Sequence, residues 1–227
     1  MSEQVKPQVN NELVVKYDID GHEIKLTQNS VQEYIVGNDN GKITLQEFKF
    51  FTELCKVRKL NPFLKEAYLI KFGEKPAQIV VGKDAILKRA ILHPKFNGRE
   101  QGIIVLNENG EIAERKGTFK LTTEKLVGGW ARVFRKDWDH PTYISVSFDE
   151  VAQYKSNGEM NSNWKQKGAT MVEKVALVRA LRETFVEELG GMIEEDETWK
   201  LETPSRKNVT DVIVQEEPTE VLKLDEL

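Results

Sequence analysis

The chain has 227 residues, of which 39% are hydrophobic and 31% charged, and its formal net charge is −4. This length suits one domain of moderate size with a real core and some appendages. No apolar run approaches the roughly 18 residues that span a bilayer, and the first residues lack the regions of a secretory signal. The single Cys55 cannot form an internal disulfide. We therefore expect a cytoplasmic protein.

The charges are segregated along the chain. Residues 51–182 carry 24 Lys and Arg against 15 Asp and Glu, a balance of +9. Residues 1–50 carry 5 against 8, and residues 183–227 carry 4 against 14. A basic body between acidic ends predicts a domain that binds a polyanion, beside a segment that repels polyanions or binds something else.

The N-terminal part of the sequence contains one clear helix start. We interpret residues 1–27 as a mobile arm with one short strand over residues 12–17. Thr44 and Glu47 have the spacing of a capping box, which predicts a helix from Leu45. Apolar residues at helical spacing follow, and Pro62 ends the helix.

The central part reads as strands and helices in turn. The segments "EAYLIKF" and "AQIVV" predict a hairpin, and "GKDAILKRAILH" predicts a helix. Strands are predicted over 102–106 and 111–116, and in "GGWARVFRKDW" and "TYISVSF". A long helix is predicted over 168–189, with a Gly-Gly stop.

This order of elements favours an α+β fold with a mostly antiparallel sheet packed with helices. We place the folded domain at residues 28–202. Residues 203–227 carry two prolines and six acidic against three basic residues, which predicts a flexible acidic tail.

A calcium loop is the most tempting alternative site. The segment 36–48 has Asn38, Asn40 and Glu47 in ligand positions, but Val36 occupies the first position and offers no oxygen. We favour a Gly-containing turn followed by an N-capped helix, and keep a calcium-regulated protein as an alternative.

The sequence gives little support for a zinc site, a nuclease site or a nucleotide-binding loop. The three histidines are far apart, and one cysteine cannot build a zinc site. A metal-dependent nuclease could use Asp137, Asp139 and His140, although three polar residues beside a proline are typical of a solvated turn. "VVGKDAILK" lacks the first Gly of a phosphate loop and the hydroxyl residue after Lys83. We therefore expect no cofactor, no metal and no catalytic site.

Basic residues interleaved with aromatics indicate nucleic-acid binding. Strand alternation puts Trp130, Arg132 and Phe134 on one face, although core aromatics with Arg stems over the core edge are an equal alternative. Phe96, Trp130 and Trp164 are possible base-stacking residues. The candidate DNA-binding residues are Lys83, Lys88, Arg89, Lys95, Arg99, Arg132, Arg135, Lys165, Lys167, Lys174, Arg179 and Arg182.

The long helix supports this interpretation. At 100° per residue, its apolar stripe contains Arg182, with Lys174 and Arg179 at the margins. Three acidic residues, Glu173, Glu183 and Glu187, are placed on the opposite side. We expect this helix to wall a basic groove; the alternative is a buried Arg182 paired with a sheet carboxylate.

Four blocks of the sequence resemble the RecT family of phage single-strand annealing proteins, within the RecT/Redβ group. They are "FTELCKVRKLNPFLKEAYLIKF", "AQIVVGKDAILKRAILHPKFNG", "GGWARVFRKDW" and "MVEKVALVRALRETFVEELGGMIEEDE". Lys83 stands where relatives often carry an aromatic residue, so no stacking is expected there.

The resemblance implies ATP-independent annealing of complementary strands in phage recombination. It also implies a homo-oligomer on DNA as a ring or helical filament, a partner 5′–3′ exonuclease, and a C-terminal segment that engages host single-strand-binding protein. A plain single-strand-binding module remains the alternative.

Overall fold

The computed structural model describes residues 13–36, 41–71, 74–155 and 157–192. Its first element is an antiparallel hairpin of β1 (Val14–Ile19) and β2 (His22–Thr27). The turn residues Asp20 and Gly21 have φ of 52° and 83°, the conformation that a two-residue Asp-Gly turn favours because it matches the twist of the strands.

This hairpin is packed onto the body. Leu26 is fully buried, and the Tyr17 hydroxyl donates a hydrogen bond of 2.8 Å to the Leu60 carbonyl. The structure thus has a docked hairpin at residues 14–27, where the sequence suggested a mobile arm with one strand. The domain boundaries at 28 and 202 stay predictions.

The first helical layer follows directly. It comprises α1 (Gln28–Val31), a π-helical turn (Gln32–Val36) and α2 (Leu45–Val57). The predicted capping box at the start of α2 is confirmed: Thr44 and Glu47 each accept a hydrogen bond from the backbone N–H of the other. The predicted helical face is buried at Phe48, Phe51 and Cys55.

A short 3₁₀ turn (Pro62–Leu64) leads into the second hairpin, which confirms the predicted pair of strands. β3 (Ala67–Ile70) pairs antiparallel with β4 (Gln78–Val81), and α3 (Lys83–Leu92) follows. Gly82 is the N-cap of α3, and a Cβ there would lie 2.8 Å from the Lys65 carbonyl oxygen. The absence of a side chain at Gly82 therefore lets α3 begin against the end of the 3₁₀ turn.

The main sheet has four antiparallel strands in the order β6-β5-β7-β8. They are β5 (Phe96–Leu106), β6 (Ile112–Lys116), β7 (Lys125–Arg135) and β8 (Thr142–Ser147). β5 begins six residues earlier than the strand predicted from Gly102. The predicted α+β fold with antiparallel sheets is confirmed.

One face of this sheet is covered by a long helix. After α4 (Phe148–Val151) come α5 (Ser162–Thr184) and α6 (Val186–Leu189). α5 packs closely against β7 at Gly129, where a Cβ would lie only 2.6 Å from the Val172 carbonyl oxygen. The absence of a side chain at Gly129 allows this approach. Lys167 has non-helical angles (φ −128°, ψ 33°), so α5 consists of two helical segments joined at a kink.

The long helix differs from the prediction in three ways. It begins at Ser162 instead of Gly168, and Phe185 separates it from α6. Glu173, predicted to face away from the body, is 7% exposed, and Gln101 Nε2 donates to its Oε1 at 2.7 Å. The helix is packed on more than one side, so a single apolar stripe does not describe it.

Within the described residues, no helix is both long and apolar enough to cross a membrane. The tail over 203–227 lies outside the described residues.

Candidate nucleic-acid interface

A concavity of about 740 Å³ lies between the π-helical turn, the 3₁₀ turn and the start of α3. Its lining includes four lysines, which arrive from three different parts of the chain: Lys65, Lys83, Lys88 and Lys174. We call this concavity the lysine groove. Three of its four lysines belong to the predicted DNA-binding set, so the structure brings these three together.

The backbone explains how these lysines converge. Lys65 ends the 3₁₀ turn with a φ of 59°, and the N–H of Gly82 donates to the Glu66 carbonyl at 3.1 Å. The 3₁₀ turn and the start of α3 are thereby joined, which places Lys65 and Lys83 on the same concavity. Lys174 reaches it from α5.

Two carboxylates also line the lysine groove. Glu66 accepts from the Asn61 N–H at 2.9 Å and from Lys88 Nζ at 3.1 Å, whereas Asp84 is exposed. Within the described residues, the ammonium groups of Lys65 and Lys83 form no ion pair or hydrogen bond with the protein. The groove therefore presents two cations that are not already matched by protein carboxylates.

The N-terminus of α3 opens at the same place. Its N-cap is Gly82, which offers no side-chain acceptor to the first N–H groups of the helix. The helix dipole and the amides of a first turn favour an anion at such a position. This helix end and the lysines thus favour the same kind of ligand.

Two other predicted lysines line a separate concavity of about 440 Å³ beside the α5 kink. Lys165 and Lys167 are exposed there. Trp164, proposed from the sequence as a stacking residue, also lines it.

Arg89 lies at a third, smaller concavity of about 170 Å³ that it shares with Lys88. Its guanidinium donates to the Lys59 carbonyl at 3.1 Å. Burial lowers the pKa of Arg89, and the nearby positive charge of Arg58 adds to this, against the opposing effect of Glu66. An arginine of this kind remains charged, and its position is fixed by its backbone partner.

Lys95 and Arg135 share one carboxylate. Lys95 Nζ lies 2.9 Å from Asp137 Oδ2, and Arg135 donates to both Asp137 oxygens. Arg135 also donates to the Thr184 carbonyl at 2.9 Å, and its side chain is only 15% exposed. This arginine connects the end of β7 to the end of α5.

Four further predicted cations are held by the protein's own acceptors. Arg132 lies 3.1 Å from Glu114 and 3.7 Å from Glu100, over the Trp130 ring at 4.7 Å. Arg99 bonds to Gln101. On α5, Arg179 lies 3.3 Å from Glu150 and Arg182 donates to the Met192 carbonyl at 3.1 Å, which is not the sheet carboxylate considered for it.

The expectation of base stacking on Trp130 and Trp164 needs correction. Both rings are 1% exposed, because Trp130 lies under Arg132 and Trp164 packs edge-on against Phe148 at 5.7 Å between ring centroids. A base cannot reach either ring face without displacing these neighbours. Phe96 is half-buried near Phe185, and stacking on it stays a prediction.

The profile of the RecT family matches residues 22–213, most of the chain. The chain belongs to the RecT family. RecT proteins are single-strand annealing proteins of recombination that bind single-stranded DNA and act without a catalytic site. No curated protein matches the chain significantly.

One acidic residue of the suggested nuclease site and one of the suggested calcium site form ion pairs with lysine and arginine side chains of the protein. Asp137 is held by Lys95 and Arg135, and both Glu47 oxygens accept hydrogen bonds from Lys71 at 2.8 and 3.0 Å. Within the described ranges, no group of three or more His, Cys, Asp or Glu could hold a metal. Residues 38–40 of the calcium-like segment lie outside the described residues.

Sequence reasoning missed several residues that line the lysine groove of this RecT protein. Lys65 lies between Leu64 and Glu66 within the first RecT-like block, and no cluster of basic residues marks it in the sequence. Tyr34, which is 76% exposed, and Tyr68 also line the groove. No local pattern marks Tyr34, because the surface it joins is formed only by the tertiary fold.

Proposed function

We propose that this protein anneals complementary DNA strands without ATP, as an oligomer on DNA, and that the lysine groove holds the DNA backbone. The observation that carries this proposal is the convergence of Lys65, Lys83, Lys88 and Lys174 on one concavity at the start of α3. Membership of the RecT family supports the annealing reaction. The position of the lysines supports the lysine groove as the place where the DNA backbone binds.

The proposed mechanism uses binding energy alone. The lysines neutralise phosphates of the first strand and release its counterions. Contacts of this kind fix the backbone while leaving the base edges free. A second strand can then test its pairing against the exposed edges, and a matched duplex is retained across adjacent subunits.

Tyr34 gives the groove a surface for bases as well as phosphates. Its ring is exposed at the rim of a concavity that contains four lysines. Single-strand binders combine a basic track with aromatic rings on which bases stack without sequence preference. We place one base of the bound strand against Tyr34.

The other predicted basic residues enter this proposal with different weights. Arg99, Arg132, Arg135, Lys95, Arg179 and Arg182 already contact protein acceptors, so a phosphate would have to displace or share those contacts. We therefore assign the main backbone contacts to Lys65 and Lys83, whose ammonium groups have no partner among the described residues. This group, like Lys88 beside Glu66, is assigned secondary contacts.

The finer biological setting is also a proposal. We propose a phage or prophage origin and action in the cytoplasm of a bacterial host. The proposed partners are a 5′–3′ exonuclease that supplies single strands and the host single-strand-binding protein. The RecT-like blocks of the sequence support these partners, and the subunits are proposed to form a ring or filament.

The test is an annealing assay with complementary oligonucleotides in the absence of ATP. The wild-type protein is expected to accelerate annealing, and the double variant Lys65→Gln/Lys83→Gln is expected to lose most of this acceleration. These two lysines have no ionic partner in the described protein, so replacing them leaves no protein carboxylate unpaired. The slope of single-strand affinity against salt concentration should fall by about 0.7 for each phosphate that the variant no longer neutralises.

The matched control is Lys25→Gln, which removes a positive charge from β2, where Lys25 pairs with Glu23 at 2.8 Å. This variant is expected to anneal like the wild type. Noncomplementary strands separate annealing from aggregation. Tight DNA binding with annealing at the uncatalysed rate would instead establish a plain single-strand-binding module.

A further inference from the structure

The concavity beside the α5 kink has an unusual lining. It is formed mainly by residues from two regions, the segment around the start of β7 and the start of α5: Thr118, Lys120, Leu126, Phe148, Met160, Trp164, Lys165, Gln166, Lys167, Gly168, Ala169 and Thr170. Three lysines, two threonines and one glutamine are present, and no Asp or Glu is among these residues. We call this concavity the kink cavity.

The charge of the kink cavity is therefore uncompensated within its own lining. Lys165 and Lys167 are exposed, and their ammonium groups make no ion pair or hydrogen bond with described residues. Lys120 Nζ lies 3.2 Å from the Glu124 carbonyl and 3.4 Å from the Leu121 carbonyl, and its charge also interacts with the Glu124 carboxylate, which pairs with Arg115. The two unpaired charges of Lys165 and Lys167, with Lys120 beside them, favour an anion in this concavity.

The kink also places the start of a helical segment at the cavity. Because Lys167 is non-helical, a second helical segment begins at Gly168 and runs to Thr184. Its first residues, Gly168, Ala169 and Thr170, line the cavity. The start of a helix of this length carries partial positive charge and first-turn N–H groups, which favour phosphate.

An independent observation comes from Trp164. Trp164 is among the lining residues and is 1% exposed, yet its indole Nε1–H has no hydrogen-bond partner among the described residues. Buried polar groups are normally paired, so a donor left unpaired requires an explanation. Less than 1 Å² of this nitrogen is exposed, so an acceptor oxygen bound in the kink cavity would become its partner only with a local opening of the packing around Trp164.

The tight packing at the kink keeps the cavity in place. A Cβ at Gly168 would lie 2.8 Å from Phe148 Cε2 and 3.6 Å from a Leu126 methyl carbon. Phe148 in turn packs against the Trp164 ring. The start of the second helical segment is thus held against the same aromatic residue that fixes Trp164.

We propose that the kink cavity is a second phosphate subsite, which takes a backbone phosphate of a polynucleotide bound to this chain. This inference rests on the proposed DNA-binding function and extends it. Lys167 of the kink cavity and Lys174 of the lysine groove lie seven residues apart on α5, about 10 Å along a helix axis. Both sites therefore take a lysine from α5, and the proposal requires one nucleic-acid backbone to span them.

The direct test follows the indole N–H signals of the full chain labelled with ¹⁵N. The chain has four tryptophans, and the Trp164 signal is assigned by its loss in Trp164→Phe. Adding an oligothymidylate about eight nucleotides long, within the usual site size of a single-strand binder, is expected to shift this signal. The shift is expected to vanish in Lys165→Gln/Lys167→Gln. An unmoved Trp164 signal at saturating oligonucleotide would overturn the proposal.

A titration with inorganic phosphate distinguishes a site for free anions from a site for a nucleic-acid phosphate. It is expected to move the Trp164 signal only at much higher concentration than the oligonucleotide, because it lacks the other backbone contacts. A shift with inorganic phosphate and none with the oligonucleotide would show a free-anion site and overturn the assignment to nucleic acid.

The affinity measurement uses Lys165→Gln/Lys167→Gln, with Lys155→Gln as the matched control. Lys155 is exposed, lies outside the cavity lining, and is 3.9 Å from Glu159. The double variant is expected to reduce the salt slope of oligonucleotide binding by about 0.7, the value for one phosphate, and the control to leave it unchanged. An unchanged slope in the double variant contradicts the subsite.

The failure of this inference is distinguishable from failure of the proposed function. If Lys65→Gln/Lys83→Gln loses annealing while the kink-cavity variant keeps its salt slope, only the second subsite is wrong. If the oligonucleotide shifts the Trp164 signal but annealing is not accelerated, the subsite stands and the annealing proposal fails.

Discussion

Arg135 and Asp137 form a bidentate ion pair at the end of β7, with both guanidinium–carboxylate hydrogen bonds 2.9 Å long. Arg135 also donates to the last residue of α5 through the Thr184 carbonyl. Asp137 therefore orients the arginine that connects the sheet to the helix. This role differs from the metal-dependent nuclease site that the same aspartate suggested in the sequence.

The Asp137 ion pair predicts a pH-dependent contribution to stability. Hydrogen bonds from Arg135 and then Lys95 hold the pKa of the Asp137 carboxyl well below its usual range. A group with a depressed pKa stabilises the folded state above its unfolded pKa, about 3.9 for Asp. This stabilisation is lost as the pH falls through the folded value.

Asp137→Asn is accordingly expected to lower the melting temperature at pH 7, and this deficit is expected to shrink as the pH falls below about 4. Calorimetry across this range measures it. Asp139→Asn, two residues away, is the control and is expected to have no such pH-dependent deficit. Loss of DNA cleavage in Asp137→Asn, starting from a cleaving wild type, would instead support the nuclease interpretation.

Glu47 is predicted to act in stability and not in calcium binding. Its carboxylate caps α2 through the Thr44 N–H, accepts from the Ala77 N–H at 2.7 Å, and pairs with Lys71, whose side chain is 6% exposed. Burial favours a raised pKa for Glu47, but the hydrogen bonds from Lys71 and these two amides lower it overall. Glu47→Gln leaves Lys71 buried without its counter-charge, a change that costs about 3–5 kcal/mol at fully buried pairs.

Urea unfolding with and without calcium tests this prediction. The free energy of unfolding of Glu47→Gln is expected to fall by the same amount in both conditions. A calcium-dependent rise in wild-type melting temperature that disappears in Glu47→Gln would revive the calcium-regulated alternative.

Local signals explain which parts of the fold the sequence predicts. The capping box at Thr44 and Glu47 and the alternation in the β3–β4 segments depend on neighbours within a few residues. The N-terminal hairpin also had a local signal, the Asp20–Gly21 turn, which is a strong hairpin indicator. The prediction of a mobile arm over residues 1–27 did not take this turn into account.

The candidate site depends on contacts that no local pattern contains. The sequence gives Lys83 and Arg132 equal standing as DNA-binding candidates. In the structure Arg132 lies between Glu114 and Glu100, whereas Lys83 has no ionic partner in the described protein. Trp130 and Trp164 satisfied an aromatic-plus-basic pattern and are nevertheless buried. Only the tertiary fold separates a free cation from a paired one, and a stacking ring from a core ring.

Tyr34 is predicted to stack on a base at the rim of the lysine groove. Tyr34→Ala is expected to weaken oligonucleotide binding by about 1–3 kcal/mol, the usual contribution of one stacked base. Tyr34→Phe keeps the ring and is expected to retain most of the affinity. Fluorescence anisotropy titration measures both.

The matched control for Tyr34 is Tyr154→Ala, because Tyr154 is also exposed, at 49%, and lies outside the groove lining. Equal losses of affinity in Tyr34→Ala and Tyr154→Ala would contradict a specific role for the Tyr34 ring. A loss in Tyr34→Phe as large as that in Tyr34→Ala would assign the effect to the hydroxyl group instead of stacking.

Removing residues 203–227 is predicted to preserve annealing and to strengthen DNA binding. This segment carries six acidic and three basic residues, so its removal changes the formal net charge from −4 to −1. Less negative charge reduces the long-range repulsion of a polyanion, an effect that salt screens. The truncated chain should therefore associate faster at low salt, and its advantage should shrink as the salt concentration rises.

Stopped-flow association of the truncated chain with a labelled oligonucleotide at two salt concentrations measures this difference. A full-length chain whose six acidic tail residues are replaced by their amides separates the effect of charge from that of length, because it keeps the segment and removes its negative charge. Truncation also removes three basic residues, so the amide variant has a formal net charge of +2 against −1 for the truncated chain. Both are expected to associate faster than the full-length chain at low salt, and the amide variant at least as fast as the truncated one. A truncated chain that binds DNA but no longer anneals would show that residues 203–227 take part in annealing itself.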